Sequence, residues 1–218
     1  MSADITLRKG LTIPMSGIAD LNISSADSAD NYVVYPSDFH GVVPKMLLKE
    51  GETVLQGQPI FYSKANPEIK FVSPVSGTLT KIERGAKRRI MALSITSDGE
   101  HKAVVHKLAN LDELCAADVR KHLLESGCWS FIKQRPYDVI ADPSSTPKAI
   151  FVSGFNTAPL AADVPFLLSP QKEDFQNGIN ALAKLAPKVH LSVDASSASF
   201  LTEVSNAELH RIKGQHPA

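Results

Sequence analysis

Two similar halves between Gly41 and Ile95 constrain the fold of this chain more than any other feature. The first half reads GVVPKMLLKEGETVLQGQPIFYSKANP, and the second reads FVSPVSGTLTKIERGAKRRIMALSI. In both halves, glycine interrupts short stretches of alternating apolar residues, a pattern typical of a small β-sandwich with regularly spaced turns. We therefore expect a pseudo-symmetric sandwich over about residues 32–97.

This pattern resembles the barrel-sandwich hybrid fold that carries lipoyl and biotinyl groups. Such domains present a modified lysine on the hairpin between the two halves, typically beside methionine. Here that hairpin spans residues 63–70 and offers Lys64 and Lys70, but neither is flanked by methionine. We expect unmodified surface lysines, and a carrier role for one of them is kept as an alternative.

The residues before the sandwich predict little regular structure. Residues 5–13 alternate and suggest a strand pair that turns at Lys9 and Gly10. Residues 16–31 are rich in Ser, Asp and Ala, which predicts a loop. The β-branched and aromatic residues 32–35 then predict a strand.

A helix and a linker are expected over residues 106–147. Asn110 is a suitable N-cap, Glu113 could complete a capping box, and Gly127 is a natural residue just beyond the C-terminus. The apolar residues between them follow helical spacing: Leu111, Leu114, Cys115, Val119, Leu123 and Leu124. After the helix, Trp129, Phe131 and Ile132 predict a packed apolar cluster at the meeting of two domains.

The remaining residues, 148–218, predict an α/β domain. Residues 149–153 are continuously apolar, as in a buried parallel strand. Ser169 and Pro170 suggest a helix start, and residues 189–193 and 208–212 suggest two further strands. The fold class is therefore α+β. It combines a β-rich domain at 1–105, the linker, and the first part of an incomplete Rossmann-like domain, which predicts a longer polypeptide.

Composition excludes several classes of function. The 23 Lys and Arg residues balance 23 Asp and Glu residues, whereas nucleic-acid binding favours a basic surplus. Cys115 and Cys128 form no C-x-x-C motif, so we expect two free, buried thiols and no iron–sulfur ligation. The N-terminus has no signal-peptide core, and no apolar run approaches the length of a membrane span. We expect a soluble protein that meets a membrane only through partners.

Two segments are candidate sites, and no residue is a candidate catalytic group. The first is a basic turn with only Glu83 to oppose it, a candidate partner-docking patch: Lys81, Arg84, Lys87, Arg88 and Arg89. The second is the loop Gly154, Phe155 and Asn156, since open α/β sheets bind ligands at the carboxyl ends of their strands. One glycine there falls short of the three in a dinucleotide fingerprint.

The seven histidines predict no metal site, because none forms a pair at metal-ligand spacing. His190 falls in a predicted strand and is expected to be a hydrogen-bonded core residue. A quinone would need an apolar slot, and Trp129 and Phe131 are candidates to line an apolar slot for a small ligand, although core packing is the favoured interpretation.

Several motifs together resemble one family. These are ITLRKGLTIPMSG, FVSPVSGTLTKIERGAKRR, LLESGCWSFIKQRPYDVI and AIFVSGFNTAPLAAD, and the resemblance extends over essentially all 218 residues. The family is the A subunit of the bacterial Na⁺-translocating NADH:quinone oxidoreductase (Na⁺-NQR), whose members are about twice this length.

The resemblance implies a peripheral subunit on the cytoplasmic side of the bacterial inner membrane. Its complex oxidises NADH, reduces ubiquinone or menaquinone and pumps Na⁺, with the flavins and iron–sulfur chemistry in other subunits. The family is related to the C subunit of the Rnf complex and to the flavin-binding subunit of complex I. The resemblance also implies that this chain binds no cofactor, docks to integral membrane subunits and has quinone as a possible ligand. A stand-alone flavin or NADH enzyme is the further alternative.

Overall fold

The computed structural model describes residues 3–17, 20–107 and 110–217. The chain divides into two compact units. Residues 26–145 form the sandwich unit, and residues 1–25 together with 146–218 form the α/β unit. The domain boundaries at 1–105, 106–147 and 148–218 remain a sequence-based prediction.

Thirteen strands lie in the described part of the chain. They are β1 (Ala3–Thr6), β2 (Asn31–Val34), β3 (Pro44–Met46), β4 (Thr53–Val54), β5 (Pro59–Ser63), β6 (Lys70–Val72), β7 (Gly77–Arg84), β8 (Ile90–Ser97), β9 (Lys133–Gln134), β10 (Val139–Ile140), β11 (Ile150–Ser153), β12 (Val189–Asp194) and β13 (Glu208–Lys213).

The described α-helices are α1 (Ala116–Glu125), α2 (Val164–Leu168) and α3 (Lys172–Leu185). Short 3₁₀ turns occupy Pro36–Asp38, Ala86–Arg88, Leu111–Glu113, Cys128–Phe131, Ser169–Gln171 and Phe200–Glu203.

Two antiparallel sheets build the sandwich unit and confirm the predicted barrel-sandwich fold. One sheet has the order β2-β8-β7-β4, and the other has the order β3-β5-β6. Alternation along the strands directs apolar side chains inward. Ile60, Phe61, Leu79, Leu93 and Ile95 have no exposed surface at all. The core is completed by the ring of Phe71, which stacks on Phe61 with centroids 4.5 Å apart.

The Ser-Pro-Val-Ser-Gly turn at residues 73–77 shows why the second half needs glycine where it does. A Cβ on Gly77 would lie 2.0 Å from the carbonyl oxygen of Thr96 on the neighbouring strand. The Ser76 hydroxyl, which is buried, donates to Asp98 over 2.6 Å. The turn therefore joins β7 to the end of β8 through backbone contact and one side-chain hydrogen bond.

Helix α1 begins later than the sequence pattern predicts. Asn110 caps the short 3₁₀ turn by accepting from the backbone N–H of Asp112, and the extended backbone at Leu114 separates that turn from α1. The N-cap of α1 is Cys115, whose backbone N–H donates to Asp118 over 3.1 Å. The predicted end is confirmed: Gly127 adopts a φ of 77° and lies against Val72 of β6.

The apolar cluster after α1 is only partly as predicted. Trp129 is buried, and its indole N–H donates to the carbonyl of Ala141 over 2.8 Å. Phe131, by contrast, is 76% exposed, so the expectation that it packs with Trp129 is wrong. The expectation of buried thiols is also wrong, because Cys115 and Cys128 are both exposed, the first at the helix N-cap and the second in a 3₁₀ turn.

In the α/β unit, four parallel strands form one sheet in the order β1-β13-β12-β11. One face of the sheet is buried, with Leu191 and Val193 of β12 packed among Val152, Leu209 and Phe175 of α3. The predicted strands at 189–193 and 208–212, and the helix predicted to start near Ser169 and Pro170, are thus confirmed in type.

The first strand corrects the expectation for residues 5–13. Instead of pairing with each other, residues 3–6 pair with β13, and Leu7 and Leu11 donate backbone hydrogen bonds to Lys213 and His216. A Cβ on Gly10 would lie 2.7 Å from the carbonyl oxygen of His216. Glycine is needed at position 10 because the backbone packs closely against a segment distant in sequence. The sequence pattern had instead predicted a local turn there.

Two further corrections concern β11 and α3. The strand at 150–153 was expected to be buried, but Ile150 and Val152 are only half-buried and Phe151 is 76% exposed. Ser169 and Pro170 lie in a 3₁₀ turn, and α3 begins after it at Lys172. Ahead of that turn is α2, which the sequence analysis missed; its N-cap Asp163 accepts from the backbone N–H of Phe166 over 2.8 Å.

Candidate functional site

The predicted basic patch lies at the tip of the hairpin that joins β7 to β8. All five side chains of this patch are exposed: Lys81, Arg84, Lys87, Arg88 and Arg89. Lys81 belongs to the shaft of β7, while the other four surround the 3₁₀ turn Ala86–Arg88. We call these four residues, Arg84, Lys87, Arg88 and Arg89, the basic tip.

The backbone of the basic tip is held in an unusual conformation. Lys87 and Arg88 have φ values of 53° and 60°, in the left-handed region that residues with a Cβ seldom adopt. The turn is closed by hydrogen bonds from Gly85 N–H to the carbonyl of Arg89 and from Arg88 N–H to that of Gly85. The Arg84 guanidinium also donates to the carbonyl of Arg88 over 3.4 Å. The charged groups are therefore displayed on a constrained turn.

The charges of the basic tip are uncompensated, unlike that of Lys81. The Lys81 ammonium lies 2.6 Å from Glu83, and this hydrogen bond raises the pKa of Lys81 above its ordinary value. In the part of the chain that the structure describes, none of the ion pairs involves a residue of the basic tip. Four positive side chains therefore face solvent together.

A groove of about 620 Å³ lies between α1 and the hairpin joining β5 to β6. It is lined by Pro67, Glu68, Lys70, Ala117, Arg120, Lys121, Leu124, Glu125, Pro143 and Ser144. The Nε atom of Arg120 is buried and has no hydrogen-bond partner among the described residues. A buried donor without an acceptor is uncommon in folded proteins and marks a position where a ligand or water would be stabilised.

The two lysines considered for a carrier role lie in different surroundings. Lys64 is exposed and follows β5, and its backbone N–H donates to Val43. Lys70 is half-buried at the start of β6 and lines the groove beside α1. The connection between them is anchored by Ile69, which is buried. Only Lys64 is thus presented to solvent in the way that an acylated lysine requires.

The predicted ligand loop follows β11 at the carboxyl edge of the parallel sheet. Gly154 is buried, and a Cβ there would lie 2.9 Å from Leu201 and 3.0 Å from the carbonyl of Ser192. Asn156 accepts from the backbone N–H of Ala158, which forms a local turn. Tight packing against β12 thus explains Gly154, and the loop's role as a ligand site remains a prediction.

The sequence analysis missed one constellation of polar side chains. His190 is largely buried and hydrogen-bonded, as expected, but its partner is a second histidine: His190 Nδ1 lies 2.8 Å from His210 Nε2. The two are twenty residues apart, so no local spacing could indicate the pair. The parallel pairing of β12 with β13 brings them together.

No helix in the described ranges combines the length and apolar character needed to cross a bilayer.

Comparison with known proteins gives two family models that match in order along the chain. The NqrA N-terminal barrel-sandwich hybrid domain matches residues 5–98, and the NqrA second alpha/beta domain matches residues 114–218. These two matches follow the observed succession of a sandwich and a parallel sheet.

Curated relatives extend the similarity over almost the whole chain. The A subunit of the Na(+)-translocating NADH-quinone reductase of Actinobacillus succinogenes is 35% identical over 98% of this chain and 48% of its own length. Its counterparts in Haemophilus influenzae and Tolumonas auensis are 34% and 37% identical, each over 98% of this chain and over 49% and 48% of their own lengths. The chain spans about half the length of the curated relatives that it matches. It therefore belongs to the NqrA family, the A subunits of Na⁺-translocating NADH-quinone reductases, and corresponds to that family's barrel-sandwich and second α/β domains.

Proposed function

We propose that this chain is a non-catalytic docking part of a Na⁺-translocating NADH:quinone reductase, and that the basic tip is its contact with an acidic surface of a partner subunit. The observation that carries the proposal is the group of four exposed, uncompensated cations on one constrained turn. Family membership supplies the context, because the relatives are named as subunits of this reductase.

The geometry of the hairpin favours a protein partner. Arginine binds carboxylates through two parallel hydrogen bonds, and three of the four cations of the basic tip are arginines. Hydrogen bonds from Gly85 and Arg88 close the turn before binding, so its backbone would lose little conformational entropy when the partner docks. Because the chain as a whole has no net charge, the attraction is local and gives orientation more than long-range steering.

The test is charge reversal in the full-length subunit within its host, by the combined change of Arg84, Lys87, Arg88 and Arg89 to Glu. We expect the A subunit to be lost from the purified complex, because the reversed tip would be repelled by the acidic surface. The association of the wild-type subunit, by contrast, should weaken as salt is raised. The matched control reverses four dispersed exposed lysines, Lys64, Lys107, Lys133 and Lys148, with the same change in net charge.

Wild-type recovery of the A subunit with the basic tip reversed would refute the docking proposal. Equal loss in the control variant would also refute it, because net charge alone would then explain the effect. Binding of the wild-type chain to anionic vesicles, abolished by the same reversal while assembly persists, would assign the tip to lipid headgroups instead.

A second candidate function, contact with quinone, is favoured by the groove beside α1. Its volume of about 620 Å³ falls within the range of about 300–1,000 Å³ typical of small-molecule sites. Leu124, Ala117 and Pro67 provide apolar surface, and Arg120 provides a buried donor without a partner. A quinone carbonyl is an acceptor that would satisfy this donor, while the ring would lie against the apolar side chains.

A short-chain ubiquinone analogue added to the purified chain tests this second function. We expect saturable binding, measured by calorimetry, that weakens about tenfold or more in Arg120→Leu, since a lost charge-assisted hydrogen bond costs about 1.5–3 kcal/mol. Arg135→Leu, the same change at an arginine that is 76% exposed and outside the groove lining, is the control and should bind normally. Equal weakening in both variants, or no binding to the wild-type chain, would exclude the groove.

The carrier alternative has its own test in the intact mass of the subunit isolated from its host. A lipoyl or biotinyl increment that disappears in Lys64→Arg would establish a carrier role. The unmodified mass expected from the sequence would exclude it.

A further inference from the structure

We infer that His190, Glu208 and His210 form a binding site for a divalent transition metal of the zinc class, on the face of the α/β sheet opposite α3. The three side chains offer two imidazole nitrogens and one carboxylate oxygen, all within 4.8 Å of one another. This site is independent of the docking function proposed above, because it lies on a different unit from the basic tip.

The parallel register brings the three side chains to one face. His190 pairs with Glu208 across β12 and β13, and Ser192 pairs with His210. Because side chains alternate between faces along a strand, His190, Glu208 and His210 all point away from the face that buries Leu191 and Val193. Adjacent strands of a sheet are a rigid support for such a site.

The distances suit a metal after a small adjustment. His190 Nδ1 lies 2.8 Å from His210 Nε2 and 3.6 Å from Glu208 Oε2. Zinc–nitrogen bonds of about 2.0–2.1 Å in tetrahedral geometry place ligand atoms roughly 3.3 Å apart. The two rings must therefore separate by about half an ångström, which side-chain torsions can supply without moving the strands.

The ligand set is one that zinc prefers. Two histidines and one glutamate are the protein ligands of several zinc enzymes, with the fourth position left to water or another ligand. The imidazoles bind a metal as neutral groups. The partial exposure of Glu208, at 30% of its side chain, leaves an approach for the ion.

A second observation concerns the other ring nitrogen of His210. The Nδ1 atom of His210 is buried and has no hydrogen-bond partner among the described residues. Because Nε2 is the atom that faces His190, Nδ1 lies on the side of the ring away from the ion, where an ordered water would satisfy it, as commonly happens at the second nitrogen of a metal-bound histidine.

The surroundings hold the ligands in place. Lys188 lies 3.3 Å from Oε1 of Glu208, on the other oxygen from the one that faces His190. This contact orients the carboxylate, as outer partners of metal ligands commonly do. The ring of Phe151 stacks on His190 with centroids 4.9 Å apart and limits the orientations of that imidazole.

The experiment measures binding of Zn²⁺ and of Co²⁺ to the purified chain, prepared without a histidine tag. We expect calorimetry to show that the chain binds one equivalent of Zn²⁺. Bound Co²⁺ should give the intense visible absorption that is typical of tetrahedral coordination. Because the metal would bind only the folded state, Zn²⁺ should also raise the melting temperature.

Removal of a ligand distinguishes this site from nonspecific metal binding. His210→Ala should weaken metal binding by at least about 100-fold. Loss of a residue that only supports a metal ligand already weakens binding by about 10–100-fold, and loss of a ligand itself should cost more. Glu208→Gln keeps the size of the side chain and should abolish the tetrahedral Co²⁺ spectrum. His40→Ala, at an exposed histidine of the sandwich unit, is the control and should bind as the wild type does.

The outcomes are decisive in each direction if circular dichroism shows that the variants are folded. Absence of saturable binding to the wild-type chain would overturn the inference. So would binding that survives both His210→Ala and Glu208→Gln. Should His210→Ala fail to fold, Glu208→Gln alone carries the test.

Discussion

The sandwich unit and the α/β unit bury their apolar side chains in different ways. In the sandwich unit, two sheets enclose a core in which Ile60, Phe61 and Leu79 are completely buried. In the α/β unit, one face of the sheet packs around Leu191 while the other carries polar and titratable side chains together with the exposed ring of Phe151. The comparison indicates that the sandwich unit presents its candidate sites on a hairpin and a helix outside a closed core, whereas the α/β unit presents its candidate metal ligands on one face of its sheet.

The largest expected effect that tests this comparison comes from truncating a phenylalanine in each unit. Phe61→Ala should destabilise the sandwich unit by about 3–5 kcal/mol, because Phe61 is fully buried and stacked on Phe71. Phe151→Ala should change the stability of the α/β unit by no more than about 0.5 kcal/mol. Native-state hydrogen exchange resolves the two units separately. A comparable loss in both variants would show that the exposed sheet face is covered in solution.

A smaller change in stability is expected when a glycine is replaced by alanine in each unit. The change should be destabilising in the sandwich unit and stabilising in the α/β unit. Gly77→Ala should destabilise the sandwich by about 1–3 kcal/mol, because the new methyl group would collide with the Thr96 carbonyl. Gly178→Ala, inside α3 with no atom within 4 Å of the new methyl group, should stabilise the α/β unit by about 0.5–1 kcal/mol.

Denaturant unfolding followed by residue-resolved hydrogen exchange measures both glycine variants. If Gly77→Ala were neutral, the backbone contact between β7 and β8 would be looser than described. If Gly178→Ala were destabilising, the exposed side of α3 at this position would contact another surface.

The smallest effect concerns the pH dependence of the sandwich unit near Asp98. The hydrogen bond from the Ser76 hydroxyl, followed by that from the Glu100 backbone N–H, lowers the pKa of Asp98 below its ordinary value. A lowered pKa in the folded state stabilises the fold above pH ~4, and this contribution disappears as the pH falls through the lowered pKa. Ser76→Ala should therefore raise the pKa of Asp98 and reduce this pH dependence.

Carboxyl chemical shifts of Asp98 followed by NMR against pH measure that change directly. Ser144→Ala is the control, because the backbone N–H of Ser144, followed by its hydroxyl, lowers the pKa of Asp142, and neither group bonds to Asp98. An unchanged pKa of Asp98 in Ser76→Ala would show that the backbone donor alone holds the carboxylate.

Local patterns predicted the elements whose causes are local. The strands of the sandwich follow from alternating apolar residues, and the end of α1 follows from Gly127, whose positive φ favours glycine. The start of α1 was misplaced, because its N-cap is Cys115 and not Asn110. Asn110 and Cys115 both cap a turn or helix in this short stretch, and the spacing of the apolar residues does not distinguish which one starts α1.

Local sequence patterns could not predict contacts between segments that are distant in the chain. The alternation of residues 5–13 suggested a hairpin, yet β1 pairs with β13, the last strand described. Likewise the exposure of Phe131 and of the two cysteines depends on which surfaces meet in the fold, and composition carries no such information. The basic tip was found correctly as a cluster because its residues are nearly contiguous, but its lack of ion pairs among the described residues emerged only from the fold.

The sequence by itself determined the barrel-sandwich fold, the α/β succession after it and the family, because repeated glycines, apolar periodicity and motif strings are written in consecutive residues. The tertiary structure alone decided the partner of the first strand and the meeting of His190, Glu208 and His210. The physical reason is that strand register in a parallel sheet joins residues far apart in the chain, and register is set by packing of the whole sheet rather than by any local preference.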